Sequence, residues 1–255
     1  MTANQRVEET PRAFARPATV RPSAGLSTTE AIKDYILTRG LKPGDPLPTE
    51  AELCASLGVS RSSVREAIRT LVSLDIVDVR HGHGTTVGGL SLAPFINGLV
   101  FRSLLNPEGG FRTLLEVVEL RQGLDMAVAD ALVQGFRDDP APEIDPLVAT
   151  MREQSERGES FMAADRAFHA ALLERTGNDL IRQVVAALWE VHTIVVPQLG
   201  IPQPDDIRAT VDSHGAMLEA LRAGDADGYR AAVVAHYSPL HRVIHRAQLD
   251  APVGD

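Results

Sequence analysis

The segment from Leu47 to Ile68, LPTEAELCASLGVSRSSVREAI, constrains this chain more than any other. It reads as two short helices joined by a tight turn. Thr49 precedes a helical run with Glu52 three residues on, the spacing of a capping box. Leu53 and Leu57 face inward, Gly58 stops the helix, and Val59 plugs the turn. Ser60 is a good N-cap for the next helix, expected from Arg61 to about Leu74, with Val64, Ala67, Ile68 and Leu71 as its buried stripe. Its first turns carry Arg61, Ser62, Ser63 and Arg65. A helix N-terminus favours a phosphate, and an arginine fork fits a guanine edge. Such a helix suits the DNA major groove, although an ordinary capped helix pair with solvated arginines would share the local pattern.

The flanks favour the DNA-reading alternative. Ile76–Val79 alternates like a short strand, Arg80-His-Gly-His-Gly84 follows, and Thr85–Val87 returns, which predicts a β-hairpin wing. Gly82 and Gly84 allow close backbone approach to a phosphate or minor groove. Upstream, Thr28–Leu37 is an amphipathic helix, and Leu41–Pro48 is a turn-rich connector. Residues 26–89 resemble the winged helix-turn-helix of GntR-family bacterial transcription regulators. The resemblance rests on Leu41-x-Pro-Gly44, Leu47-Pro48, Glu52-Leu53, Gly58-Val-Ser-Arg61, Val64-Arg-Glu-Ala67, Leu71 and Gly82-x-Gly-Thr-x-Val87. It implies that Ser60, Arg61, Ser62, Ser63 and Arg65 contact a double-stranded DNA operator, with His81 and Gly82 at the wing tip. Ala51 stands where the family often carries arginine, so one contact is expected to be missing.

A net charge of −9 is unusual for a DNA-binding chain until it is divided. Residues 1–90 carry 11 basic and 10 acidic side chains, and the remainder carries 14 and 24. The acid therefore belongs to the second half, and DNA binding would rest on a local cluster. The length suits two domains. A single cysteine, Cys54, excludes an intrachain disulfide and fits a reducing cytoplasm; it is expected to be buried core filler. No signal peptide opens the chain, and no apolar run is expected to span a bilayer. Residues 1–25, with Arg12, Arg16 and Arg21, read as a disordered tail.

From residue 90 to about 249 the apolar spacing is helical throughout, predicting an all-α bundle of six or seven helices. Expected spans are 92–105, 111–135, 143–157, 159–176, 178–196, 205–223 and 226–247. The fold class is thus mainly α, with a small β-wing in the N-terminal module. Four polar residues occupy positions in apolar stripes. Asp165 and His169 share one helix face; His214 falls among Val211 and Leu218, and His236 among Val233 and Leu240. Buried unpaired, they would be costly, and a divalent metal would satisfy all four. The other reading is core histidines bonded to carbonyls, and His192, also on an apolar stripe, supports that caution. Arg121 shares a face with Val117 and Leu124, pointing inward toward either a ligand carboxylate or Asp125 one turn on.

Residues 92–245 resemble the FCD ligand-binding domain of the FadR subfamily, through Asp165-x-x-Phe-His169, Gly177-Asn178, His214 and His236. This resemblance implies that Asp165, His169, His214 and His236 hold a divalent metal: Zn²⁺ first, with Ni²⁺, Mn²⁺ or Fe²⁺ as alternatives. It also implies that a small carboxylate effector completes the site, with Arg121 as its partner. The expected function is a homodimeric, ligand-responsive transcription regulator with no catalytic residues. Its expected mode is repression from a pseudo-palindromic operator, relieved by a small organic acid such as a hydroxy acid, sugar acid or dicarboxylate. Two rivals remain: a metal-dependent enzyme joined to a DNA-binding head, and a constitutive DNA binder with a structural metal.

Overall fold

The computed structural model describes residues 27–80, 82, 84–105, 107–202 and 207–250. The expected tail 1–25 and the wing histidines His81 and His83 lie outside the described residues. The chain divides into two compact units, one through Ser91 and the other from Leu92.

The first unit begins with α1 (Thr28–Thr38), capped by the Ser27 hydroxyl. Helix α2 (Glu50–Leu57) starts at the Thr49–Glu52 capping box, in which each side chain accepts from the other's backbone N–H. Gly58 closes it in the left-handed conformation. Helix α3 (Arg61–Ser73) follows, its Ser60 cap accepting from the Ser63 N–H at 3.1 Å. Ile32, Leu53, Val64 and Leu71 are fully buried where the three helices pack. Strands β1 (Val77–Arg80) and β2 (Gly84–Val87) pair antiparallel, with Val77 opposite Val87 and Arg80 opposite Gly84. The connector is more than a loop. Leu47 N–H donates to Thr85 O at 2.8 Å, Gly44 N–H to Val87 O, and Val87 N–H to Asp45 O. It therefore lines the free edge of β2 and satisfies backbone groups that a bare hairpin would leave to water. Cys54 is half-buried against this core, not fully buried as expected.

The second unit is all-α among the described residues: α4 (Ala93–Leu105), α5 (Pro107–Ala127), α6 (Ala129–Asp138), α7 (Asp145–Glu156), α8 (Met162–Glu174), α9 (Asp179–Gln198), α10 (Ile207–Ala223) and α11 (Ala226–Asp250). This is one helix more than the largest number expected. The predicted span 111–135 is two helices separated at Val128. Pro107, Gly109 and Gly110, expected as a break, instead form the first turn of α5. Gly110 is there for contact: a Cβ at that position would collide with the Ser103 carbonyl of α4. Leu114, Val118, Leu132, Phe168, Val191, Met217 and Val233 lie at the centre of the core. By length and composition α9 is apolar enough to cross a membrane, contrary to expectation. Its Val185, Leu188, Val191 and Val195 are buried in the bundle.

Candidate metal and anion site in the helical unit

Three helices bring four polar side chains to one point. Helix α8 carries Asp165 and His169 one turn apart, α10 carries His214, and α11 carries His236; all four are buried. One ligand atom from each lies within 4.8 Å of the others. A tetrahedral metal with bonds of ~2.0–2.2 Å holds its ligand atoms about 3.3–3.6 Å apart, so the cluster would tighten modestly around one. Asp165 Oδ1 accepts from His214 Nε2 at 2.8 Å and lies 3.4 Å from His169 Nε2. His169 Nε2, His214 Nδ1 and His236 Nδ1 have no hydrogen-bond partner. Three buried, unpartnered imidazole nitrogens beside a carboxylate are a donor set that fits a divalent cation.

Protonation favours the same state. Burial pushes the Asp165 carboxyl up, but the close His169 and His214 imidazoles, His214 by a hydrogen bond, outweigh it and hold it well below the usual range. Burial, reinforced by the neighbouring His214 and His169, holds His236 well below an ordinary histidine. The carboxylate is thus ionised and His236 neutral, the forms that bind metal.

Two residues beside this cluster have no place in it from the sequence alone: Asp125 is expected only as a possible partner of Arg121, and Tyr237 is not singled out. Asp125, on α5, is 1% exposed and accepts from Tyr237 Oη at 2.7 Å. The same oxygen lies 3.5 Å from His169 Nδ1. A carboxylate there orients the His169 ring, as carboxylates behind metal-bound histidines do. The available signal was its place one turn after Arg121 on an inward face. Tyr237, next to His236, had no signal beyond an apolar stripe.

Arg121 is 1% exposed, and its Nε and Nη2 have no hydrogen-bond partner. The expected alternative, an ion pair with Asp125, does not form: Asp125 instead faces Tyr237 and His169. The guanidinium lies 4.4 Å over the Trp189 ring and 5.4 Å from that of Tyr237. Nη1 approaches His192 Nδ1 at 3.4 Å. Since arginine only donates, that ring nitrogen accepts and its proton sits on Nε2. Burial, with the Arg121 charge second, pushes His192 down to about 3. A cavity of about 490 Å³ is lined by Arg121, Asp165, Trp189, His192, His236 and Tyr237, and continues between α8, α9, α10 and α11. His192 therefore belongs with the cavity wall and not with the cluster of four.

The depressed histidine has a measurable consequence. Unfolding raises His192 from about 3 toward an ordinary value near 6.5, so the unfolded chain binds the extra proton between those limits. Stability from keeping the ring neutral is complete above pH 6.5 and is lost as pH falls toward 3. We expect urea-unfolding free energies of metal-free protein to drop by about 1.4 kcal/mol per pH unit below pH 6 for each such histidine. His192→Gln should flatten the slope; an unchanged slope would remove His192 from the account.

In the first unit, Ser60, Arg61, Ser62 and Arg65 are exposed at the start of α3, and Ser63 is half-buried. Ser60 Oγ lies 2.7 Å from Ser62 Oγ and 2.9 Å from Ser63 Oγ. Arg65 Nε donates to Glu50 Oε2 at 2.8 Å, which ties the guanidinium to the first turn of α2. Gly82 sits between the strands at φ +78°, a conformation few side chains tolerate.

A winged helix-turn-helix joined in one chain to an all-α unit with a polar-floored cavity is the organisation of a DNA-binding transcription regulator. Comparison with known proteins is more specific. The profile of the bacterial regulatory proteins of the gntR family matches residues 26–87, and that of the FCD domain matches residues 116–238. NedR of Micromonospora viridifaciens is 37% identical over 110 residues, 43% of this chain and 79% of that one. The galactonate operon transcriptional repressor of Escherichia coli is 24% identical over 72% of this chain and 81% of its own. The structure of Streptococcus agalactiae GntR shares the fold, with TM-score 0.57 and 24% identity over 84% of this chain and 97% of that one. The chain belongs to the GntR family and carries an FCD domain: it is a transcription regulator, not an enzyme.

Proposed function

We propose that this regulator is a homodimeric repressor, released from a pseudo-palindromic operator when a small carboxylate binds beside a divalent metal in the helical unit. The observation that carries the reading is Arg121: a buried guanidinium with two unpartnered nitrogens, facing a cavity that also exposes Asp165 and His236. A buried guanidinium with unmet hydrogen bonds is costly, and a ligand carboxylate would fill that deficit with a charge-assisted pair. Asp165, His169, His214 and His236 would hold the metal, Zn²⁺ best suiting three imidazoles and a carboxylate. Bound there, the metal would supply positive charge to the same carboxylate. The cytoplasm is its expected location.

Residues 26–89 would form the DNA-binding module and residues 90–249 the effector-binding and dimerisation module. Phe101, Leu105 and Leu120 stand exposed on α4 and α5, apolar surface that a contact between two copies would cover. Two copies would present two α3 helices to successive major grooves, through Ser60, Arg61, Ser62, Ser63 and Arg65, with His81 and Gly82 at the backbone. Arg65→Ala is expected to weaken operator binding by ~1–3 kcal/mol and leave unfolding unchanged. Fluorescence anisotropy on an operator selected from random DNA checks this, and unaltered affinity would strike Arg65 from the contact set.

The test of the whole reading is the same anisotropy measurement with carboxylic acids added, with and without divalent metal. Release by an acid only when metal is present supports it. Metal that stabilises the protein while no acid alters DNA binding would instead favour a structural metal.

A further inference from the structure

We infer that the effector is amphipathic: a carboxylate head carrying an apolar body of about five to eight carbons, and not a polyhydroxy acid. This rests on the proposed carboxylate site and names the class of acid that fits it. The argument is one of helical register. On α8 the cavity meets Asp165, and one turn earlier Phe161 at the helix start; on α9 it meets His192 and then Val196, with Ile201 just beyond the helix end. On α10 it meets Thr210 and Ile207; on α11, Leu240 lines it one turn after His236. Helices α8 and α9 are joined by a short link around Gly177, and α10 and α11 by one at Gly224, so each pair runs antiparallel. Going backward along α8 is therefore travel in the same direction as going forward along α9, and the same holds for α10 and α11. Along α8, α9 and α11 the lining changes from ionisable to apolar, while α10 presents Thr210 and Ile207.

The change occurs within four to five residues on α8, α9 and α11, which at 1.5 Å of rise is about 6–8 Å, and Ile201 and Ile207 add apolar lining besides. An extended alkyl chain advances roughly 1.25 Å per carbon–carbon bond of ~1.5 Å, so that depth holds about five to eight carbons. Hydroxyl groups on the apolar side are few. Thr193 donates its proton to the Trp189 carbonyl at 2.9 Å, which leaves Ser160 and Thr210 among the described lining residues. Two hydroxyls would not replace the water that a sugar acid loses on entry. A cavity of about 490 Å³ is also far larger than a three- or four-carbon acid needs.

The test is isothermal titration of full-length, Zn²⁺-saturated protein with butyrate, hexanoate, octanoate, dodecanoate, lactate and gluconate. Affinity is expected to rise about fourfold per added methylene up to octanoate and to fall for dodecanoate. Val196→Phe narrows the apolar section; it should weaken octanoate about tenfold or more and leave butyrate unchanged. Ile207→Phe repeats the test from another helix should the first variant not fold. Tighter binding of lactate or gluconate than of octanoate, or affinity independent of chain length, overturns the inference while the carboxylate site stands. If none of the six acids binds, the carboxylate site itself falls, and the inference falls with it.

Discussion

Arg121→Met should abolish the response to carboxylates at almost no cost to the ligand-free fold. The substitution keeps the volume of the stem and removes a buried charge whose Nε and Nη2 have no hydrogen-bond partner. Replacing buried ionic groups by apolar ones of similar size is often neutral or stabilising. Lost contacts with the Trp189 and Tyr237 rings offset part of the gain, at ~0.5–2 kcal/mol. Ligand binding has no such compensation. Charge-assisted hydrogen bonds contribute ~1.5–3 kcal/mol each, so losing a forked pair should weaken an acid at least about a hundredfold. Urea unfolding and titration of the same variant read both halves. Severe destabilisation without ligand, together with acid binding in the fraction that folds, would make Arg121 a structural cation held by its two aromatic neighbours.

The second large effect is expected at His214. It is wholly buried, its Nε2 bonds Asp165, and its Nδ1 has no partner. His214→Ala should lower metal affinity by more than about a hundredfold, because loss of an outer hydrogen-bond partner alone costs ~10–100-fold. Asp125→Asn, which touches the site only through His169 and Tyr237, should fall within that smaller range. The His214 variant also opens a cavity and should lose ~2–4 kcal/mol even without metal. Competition with a coloured chelator gives the affinities. Full metal occupancy in His214→Ala would rule out the proposed ligand set.

The polar cluster was visible in the sequence because charge and imidazole interrupt apolar stripes, where a helix pattern has no use for them. The four residues so marked do converge in space. The GntR and FCD resemblances were legible for another reason: capping, turn and wing residues are dictated locally, at fixed offsets. What depends on distant backbone was not legible. The strand-like run of residues 44–47 along β2 is made by main-chain groups and leaves no side-chain signature. The separation of α5 from α6 at Val128 carries no glycine or proline to announce it. Asp125 was noticed only as a candidate partner for Arg121, since one-turn spacing cannot say which of two buried groups faces the other. The apolar part of the cavity was invisible in principle: Val196, Ile207 and Leu240 look the same in a sequence whether they face each other or an empty space.

Arg121 and Asp125 stand one turn apart on α5, the first turned toward the cavity and the second toward His169 and Tyr237. One helix would thus carry a handle for the proposed acid and a handle for a proposed metal ligand. Whatever displacement the acid imposed on that helix would be felt by the imidazole, and the reverse. Thermodynamic linkage then requires the acid to tighten the metal by the same factor by which the metal tightens the acid. A switch built this way would respond to the product of two concentrations. Its set point would drift with the free metal level of the cell as well as with the supply of the acid.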